Sequence, residues 1–219
     1  DRAARKAESS NAVGHPALRK LGREKAPRMV RRVLSSEHDG QPFRHQRWLP
    51  ESVEVAFGRG AQDPRFARVV VPPARPDEAE VALNGKIDRI DAGPGGAGVV
   101  DYKAGKVAKN ARRDFLVSDF QLPAYVLALR QALGVARQDA AWLFLGDQDT
   151  RDLTWVAGKE QTIDELMATD AATRDRLAAE GKKNFATEVH AVVGRLRAGD
   201  VGARPHDCER CSYKRVCRI

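Results

Sequence analysis

Two carboxylates and a lysine on neighbouring segments are the side chains of this chain best suited to chemistry. Asp88 lies in an alternating stretch, and Asp101 and Lys103 form an Asp-X-Lys unit beyond a glycine-rich turn. Residues two apart on a strand point to the same face, so Asp101 and Lys103 share a face. A twisted hairpin can bring Asp88 beside them, and two carboxylates that close repel each other unless a cation lies between them.

Such a cation would be a hard divalent ion, because carboxylate oxygens suit Mg²⁺ or Mn²⁺. A lysine next to that ion can stabilise a developing oxyanion or orient an attacking water. The three residues therefore predict hydrolysis of a phosphodiester. A surface salt-bridge cluster on an exposed hairpin is the alternative interpretation, and chemistry alone leaves both open.

The segments around these residues predict a mixed α/β domain. Alternating or apolar runs predict strands over 53–57, 66–71, 81–90, 99–103, 141–145 and 153–156. Apolar residues at helical spacing predict helices over 17–34, 119–133 and 163–196, the last interrupted near Gly181. For the second helix Ser118 is the expected N-cap, with Gln121 at the capping-box position, and Gly134 is the expected end. A turn at 93–96 would join the two strands that carry the acidic residues.

The chain is basic, with a net charge of +8 over 219 residues. The excess of Lys and Arg is marked in residues 1–50, which favours a polyanionic partner, with a solvated basic face as the alternative. Hydrophobic residues make up 42% and charged residues 31%, as in ordinary soluble proteins. No apolar run approaches the ~20 residues of a membrane helix, so no membrane association is expected.

The three cysteines lie close together near the C-terminus, at Cys208, Cys211 and Cys217. An odd, clustered set is not a disulfide framework, so it predicts a reducing, cytoplasmic compartment and a metal or cluster site. Two cysteines three apart can grip one metal, but three thiolates are one short of the usual four. Zinc with His206 as the fourth ligand and a tail that binds nothing are the alternatives to a cluster.

Three motifs follow one another along the chain: GKIDRID at 85–91, VDYKAGK at 100–106 and QLPAY at 121–125. Together they resemble the RecB-type branch of the PD-(D/E)XK nucleases, and most closely the AddB nuclease domain of bacterial helicase–nucleases. The match in order and spacing extends from about residue 53 to the C-terminus. The resemblance implies a restriction-endonuclease-like α/β core, with a central mixed sheet flanked by helices.

The activity implied by the resemblance is that of a Mg²⁺- or Mn²⁺-dependent deoxyribonuclease, with exonuclease favoured over endonuclease action. Its substrate would be single-stranded DNA fed by a helicase domain or subunit during double-strand break repair. The nuclease core would span 51–200, between a basic helical lead-in at 1–50 and a cysteine-containing tail at 201–219. Two alternatives stay open: a CRISPR-adaptation-type nuclease of the same superfamily, and a non-catalytic DNA-binding module that kept the fold.

The resemblance assigns a role to each residue of the acidic cluster. Asp88 and Asp101 match the family's metal-binding carboxylates, and the carbonyl of Tyr102 would be a further metal ligand. Lys103 matches the catalytic lysine. The family usually also has a metal-binding histidine on an upstream helix, but His15 does not fit its Gly-X-X-X-His setting and is interpreted as a surface residue.

Further site residues follow from the same resemblance. Gln121 and Tyr125 match the family's Gln-X-X-X-Tyr motif and, four residues apart, share a helix face toward the metal site or the DNA strand. A plain capping role for Gln121 and a core position for Tyr125 are the alternatives. Glu54 either supports the site or is an exposed strand residue. Charge and position in the chain, rather than the resemblance, predict four further contacts. Four basic residues between the catalytic strand and the Gln121 helix would contact DNA phosphates, unless they form a solvated loop: Lys106, Lys109, Arg112 and Arg113.

The cysteine tail also has a counterpart in the family. In AddB-like nucleases three C-terminal cysteines of this spacing hold a 4Fe–4S cluster together with one cysteine from before the nuclease core. The resemblance therefore implies a structural 4Fe–4S cluster in the full-length protein, held in part by Cys208, Cys211 and Cys217. The fourth cysteine is absent from this chain, which fits a truncated start.

Overall fold

The structure, a computed structural model, describes residues 26–36, 43–103, 120–145, 154–157 and 163–200. Its strands are β1 Leu49–Phe57, β2 Val69–Val71, β3 Val81–Leu83, β4 Gly85–Gly93, β5 Gly96–Lys103, β6 Arg137–Phe144 and β7 Thr154–Ala157. Its helices are α1 over 26–36, α2 Gln121–Leu133, α3 Ile163–Leu166, α4 Ala171–Ala179 and α5 Phe185–Arg197. Within these ranges no helix is both long enough and apolar enough to cross a membrane.

Five strands form a central mixed sheet in the order β1-β4-β5-β6-β7. The β5–β6 pair is parallel, and the other three pairs are antiparallel. A parallel pair needs a crossover connection, and α2 lies between β5 and β6 in the chain. β2 and β3 form a separate antiparallel pair. This central mixed sheet with flanking helices confirms the predicted restriction-endonuclease-like α/β fold class.

The β4–β5 hairpin is the element that carries the predicted acidic residues. Its paired register runs from Gly93–Gly96, next to the turn, to Arg89–Val100. Gly95 in the turn has a φ of +74°, a conformation that glycine adopts without strain. The predicted turn at 93–96 is therefore confirmed, and both strands continue beyond the paired register to the site residues.

Apolar side chains pack on both faces of this sheet. One cluster lies between the sheet and α2 and includes Val99, Leu122, Val126, Leu129 and Trp142. A smaller cluster on the other face consists of Phe43, Trp48, Val100, Ala141 and Leu143, with Val33 of α1 against it. A Cβ atom on Gly98 would lie 2.6 Å from the Phe43 ring, so that glycine admits the ring to the sheet. Burial on both faces holds β5 at the centre of the fold.

Some predicted elements differ from the observed ones. The strand predicted over 81–90 is divided at Asn84, because β3 pairs with β2 whereas β4 joins the central sheet. The strand predicted over 66–71 covers only Val69–Val71, since Pro64–Phe66 is a 3-10 turn whose N-cap is Asp63. The predicted helix over 163–196 is three helices, and Gly181, with a φ of +68°, lies in the interruption.

The start of α2 also differs from its prediction. Phe120 occupies the N-cap position without a side-chain cap, so Gln121 is the first helical residue and the capping-box interpretation of Gln121 is wrong. Ser118 lies outside the described residues. Gly134 ends the helix with a φ of +58°, as predicted. Since Gln121 does not cap the helix, its side chain remains available for other contacts.

Candidate active site

The site begins where the β4–β5 ladder ends. Ile90 pairs with Val99, so Asp88, two residues before Ile90, and Asp101, two residues after Val99, lie on the same face. Beyond the paired register, the backbone N–H of Tyr102 donates a hydrogen bond of 3.0 Å to Oδ2 of Asp88. The Asp88 carboxylate is thereby held beside the backbone that carries Asp101.

Asp101 and Lys103 form an ion pair on that face. Asp101 is 2% exposed, and its Oδ2 lies 2.8 Å from Nζ of Lys103. A buried carboxylate is strongly disfavoured unless it is paired, and the ammonium group supplies that pairing. The Lys103 side chain is 27% exposed, so the charge pair lies at the border between the core and solvent.

Helix α2 places two further predicted residues against the lysine. Nζ of Lys103 donates to Oε1 of Gln121 at 2.5 Å, and Nε2 of Gln121 donates to the hydroxyl of Tyr125 at 3.3 Å. Gln121 therefore links the lysine of β5 to the tyrosine one helical turn further along α2. Tyr125 is also a core residue, because it is buried and its ring packs edge-on against Phe57 at 6.0 Å between centroids.

The ionisation of Tyr125 indicates where the negative charge of the site lies. Burial raises the pKa of the Tyr125 hydroxyl, and the carboxylates of Asp88 and Asp101 raise this pKa further. The hydrogen bond from Gln121 and the charge of Lys103 act in the opposite direction. Both carboxylates are therefore close enough to act on the phenol, which stays protonated and able to donate at neutral pH.

The oxygen donors at this position fit a divalent ion of the magnesium type. Mg²⁺ is usually held by one or two carboxylates and completes its shell with waters and substrate phosphates. Among the described residues no group of three or more His, Cys, Asp or Glu side chains could hold a metal, so Asp88 and Asp101 would need other oxygen ligands. The N–H and C=O of one strand residue point to the same side, and the Tyr102 N–H points to Asp88. We therefore expect the Tyr102 carbonyl to point to the side on which the Asp88 carboxylate lies.

A comparison with known proteins agrees with this geometry. The sequence profile of the PD-(D/E)XK nuclease superfamily matches residues 1–218. The chain belongs to the PD-(D/E)XK nuclease superfamily. One relative is an ATP-dependent helicase/deoxyribonuclease subunit of Symbiobacterium thermophilum, which is 32% identical over 145 residues. That match covers 59% of this chain and 11% of the relative, and both findings confirm the resemblance drawn from the motifs.

Several predicted residues of this nuclease-superfamily chain lie elsewhere. Glu54 forms an ion pair with Lys86 at the surface, with 61% of its side chain exposed, which favours the exposed-strand interpretation. The histidines, the DNA-binding basic residues and the cysteines discussed above lie outside the described residues: His15, Lys106, Lys109, Arg112, Arg113, His206, Cys208, Cys211 and Cys217. Their roles stay predictions.

Sequence reasoning missed one charged cluster in this chain. Arg89 and Asp91 of β4 are 3% and 0% exposed, and the guanidinium grips both carboxylate oxygens, with distances of 2.5 and 2.7 Å. Nη1 of Arg89 also donates to the hydroxyl of Tyr102 at 3.2 Å. The sequence signal was partial, because an Arg and an Asp two apart on a strand share a face, but this spacing does not show that the face is buried.

Proposed function

We propose that this chain hydrolyses phosphodiester bonds of DNA with the help of Mg²⁺ or Mn²⁺. The observation that supports this most strongly is the convergence of Asp88, Asp101 and Lys103 at the open end of the β4–β5 hairpin in a member of a nuclease superfamily. A salt-bridge cluster without a chemical role would not need the second carboxylate, since Lys103 already neutralises Asp101. A divalent ion accounts for both.

In this proposal Asp88, Asp101 and the Tyr102 carbonyl hold the ion. When bound, the ion neutralises the scissile phosphate and makes a water molecule more acidic. The water oxygen bonds to phosphorus and loses a proton to solvent, the bond from phosphorus to the leaving sugar oxygen breaks, and that oxygen takes up a proton, so the products are a phosphate monoester and a sugar hydroxyl group.

The remaining side chains act on charge and orientation. Held between Asp101 and Gln121, the Lys103 ammonium orients the attacking water or stabilises the charge that develops on the phosphoryl oxygens. Gln121 keeps Nζ in place from the helix side. The protonated Tyr125 hydroxyl supplies a further hydrogen-bond donor beside the carboxylates.

The biological setting we propose is a helicase–nuclease of double-strand break repair. It is supported by the relative named as a helicase/deoxyribonuclease subunit, of which this chain matches 11%. We propose exonuclease action on single-stranded DNA in the cytoplasm, with a helicase domain or subunit as partner. Four basic residues would contact phosphates, and three cysteines would hold part of a 4Fe–4S cluster: Lys106, Lys109, Arg112, Arg113, Cys208, Cys211 and Cys217. The core would span 51–200, after a lead-in at 1–50 and before a tail at 201–219.

The test is a cleavage assay on end-labelled single-stranded and duplex DNA with Mg²⁺, with Mn²⁺ or with a chelator. We expect cleavage that needs the metal ion, and a loss of about 10²–10³-fold in kcat for Asp101→Asn and for Lys103→Met, as when one charge-stabilising group is removed. Asp139→Asn is the matched control, because Asp139 is a half-buried carboxylate of β6 that accepts a hydrogen bond from the backbone N–H of Ala140.

Two outcomes would contradict the proposal. If the parent chain binds DNA but does not cut it under any of these conditions, the chain is a DNA-binding module. If Asp139→Asn loses as much activity as Asp101→Asn, the loss results from removing any enclosed carboxylate and not from a specific role of Asp101 in this site.

A further inference from the structure

The charged cluster of Arg89 and Asp91 lies on the opposite face of the hairpin from the proposed catalytic groups. Arg89 pairs with Val100, and Tyr102 follows two residues later on the same face. Asp88, Asp101 and Lys103 alternate with these residues and point the other way. Substrate on the side of Lys103 therefore cannot contact the guanidinium through this face, so any effect of the cluster on chemistry must pass through the strands.

Because the pair is buried, the free-energy cost of removing its charges from water offsets much of what it contributes to stability. Removing two charges from water costs several kcal/mol for each ion, and apolar replacements of similar volume are often at least as stable. What the pair supplies instead is a rigid geometry. Both Asp91 oxygens are gripped by one guanidinium, whose remaining Nη1 is directed at the Tyr102 hydroxyl.

Tyr102 connects this rigid pair to the site. Its hydroxyl is held by Arg89 on one face, while its backbone N–H holds the Asp88 carboxylate at the open end of the hairpin. Its two chain neighbours are Asp101 and Lys103. A rotation of the Tyr102 backbone would therefore move the N–H that orients Asp88 and also shift the side chains on either side.

We propose that Arg89 and Asp91 are positioning residues that hold the Tyr102 backbone, and through it Asp88 and Asp101, in the arrangement that binds the divalent ion. This inference rests on the proposed nuclease function. Groups that orient metal ligands from behind typically contribute 10–100-fold to metal affinity or activity.

The direct test is Tyr102→Phe, which removes the hydroxyl and keeps the partly buried ring. We expect Mn²⁺ binding, followed by electron paramagnetic resonance of the free ion, to weaken by about 10-fold, and kcat to fall by a similar factor. We also expect faster hydrogen exchange at the amide of position 102. Arg89→Lys, which keeps the charge but loses the planar fork, should change all three quantities in the same direction.

Val69→Ala is the matched control, since Val69 is buried in β2, which pairs with β3 and not with a strand of the β4–β5 hairpin. It should lower Tm while leaving Mn²⁺ affinity, kcat and the exchange rate of the Tyr102 amide unchanged at a temperature well below Tm. If Tyr102→Phe behaves like Val69→Ala, the cluster is a stability element and the inference is wrong.

The exchange measurement separates this inference from the proposed function. A parent chain that neither binds Mn²⁺ nor cuts DNA overturns the nuclease proposal. In that case an unchanged exchange rate at position 102 in Tyr102→Phe also overturns the positioning role of Arg89 and Asp91. Faster exchange shows that Arg89 holds this backbone, whatever the chain does with DNA.

Discussion

Two acid–base pairs lie on opposite faces of the same hairpin, and they differ in how completely they are enclosed. The Arg89 and Asp91 side chains are 4% and 0% exposed and are joined by two hydrogen bonds. In the other pair Lys103 is 27% exposed and its Nζ lies 2.8 Å from Oδ2 of Asp101, while the same ammonium also donates to Gln121.

The difference follows from the chemistry of the two cations. A guanidinium presents a planar fork that matches a carboxylate, whereas an ammonium is a compact charge on a flexible stem. A forked pair sealed in the core stays in one geometry. A lysine at the solvent border can exchange one partner for another, which is what catalysis on a phosphate requires. This difference fits the two proposed roles, in which the first pair positions the site and the second acts in the hydrolysis.

The largest difference between the two pairs should appear in the free energy of unfolding when one charged partner is removed from each. Asp91→Ala leaves a buried guanidinium without its carboxylate and should lower the free energy of unfolding by about 3–5 kcal/mol. Lys103→Met should lower it by less, because the Lys103 side chain is 27% exposed, so water can take the place of the ammonium beside Asp101. Urea denaturation of both variants measures this. Equal losses would mean that the two pairs have the same structural role.

Replacing the sealed pair as a whole separates stability from activity. The double variant Arg89→Met with Asp91→Leu removes both charges and keeps a similar volume, so its free energy of unfolding should fall by less than about 1 kcal/mol or rise. Its kcat should still fall by about 10-fold, because the hydrogen bond to Tyr102 is lost. Urea denaturation and cleavage assays on the same preparation decide this, and a double variant with full activity would contradict the comparison.

The open pair can be probed from the helix side with two glutamines of α2. Gln121→Ala should lower kcat by about 10-fold, as expected for a group that orients a catalytic one, and stability by only about 1 kcal/mol, as for one hydrogen bond. Gln131→Ala is the matched control, because the side-chain amide of Gln131 accepts a hydrogen bond from the backbone N–H of Val70 and donates one to its carbonyl. It should lose stability and keep its kcat. If Gln131→Ala lowered kcat and Gln121→Ala did not, Gln121 would not belong to the site.

The smallest expected effect is a pH dependence carried by Tyr125. Its pKa is raised in the folded state by burial and by the two carboxylates, so its protonated form is favoured on folding. This contribution to stability is complete below the unfolded pKa of about 10 and is lost as pH rises through the folded pKa. Tm of the parent should therefore fall more steeply above about pH 10 than Tm of Tyr125→Phe. Parallel curves would mean that neither burial nor the two carboxylates raise the pKa of Tyr125 in the folded state.

Some features of the site follow from local spacing. The period of two along a strand places Asp101 and Lys103 on one face, and four-residue spacing on a helix places Gln121 beside Tyr125. The turn at 93–96 was predictable because glycine tolerates the backbone conformation that a short hairpin requires. These features depend on residues close together in the chain, so the sequence carries them directly.

Other features depend on contacts between distant segments. The end of the β4–β5 ladder lets Tyr102 donate to Asp88, and Asn84 separates two strands that join different sheets. The sequence offers two interpretations of Gln121, a site residue and a capping residue, and its position as the first helical residue, in contact with Lys103, excludes the second. Local periodicity does not specify register or the point where pairing stops.

The sequence by itself determined the residue types, the strand faces and the membership of a nuclease superfamily. Only the tertiary structure decided which charges are sealed and which are open. Arg89 and Lys103 both lie two residues from an aspartate along their strands, and their fates differ because one face is covered by the cluster of Phe43 and Trp48, whereas the other opens beside the start of α2. Enclosure is a property of the packed layers, and it determines which charge pair is fixed in one geometry and which lies at the border with solvent.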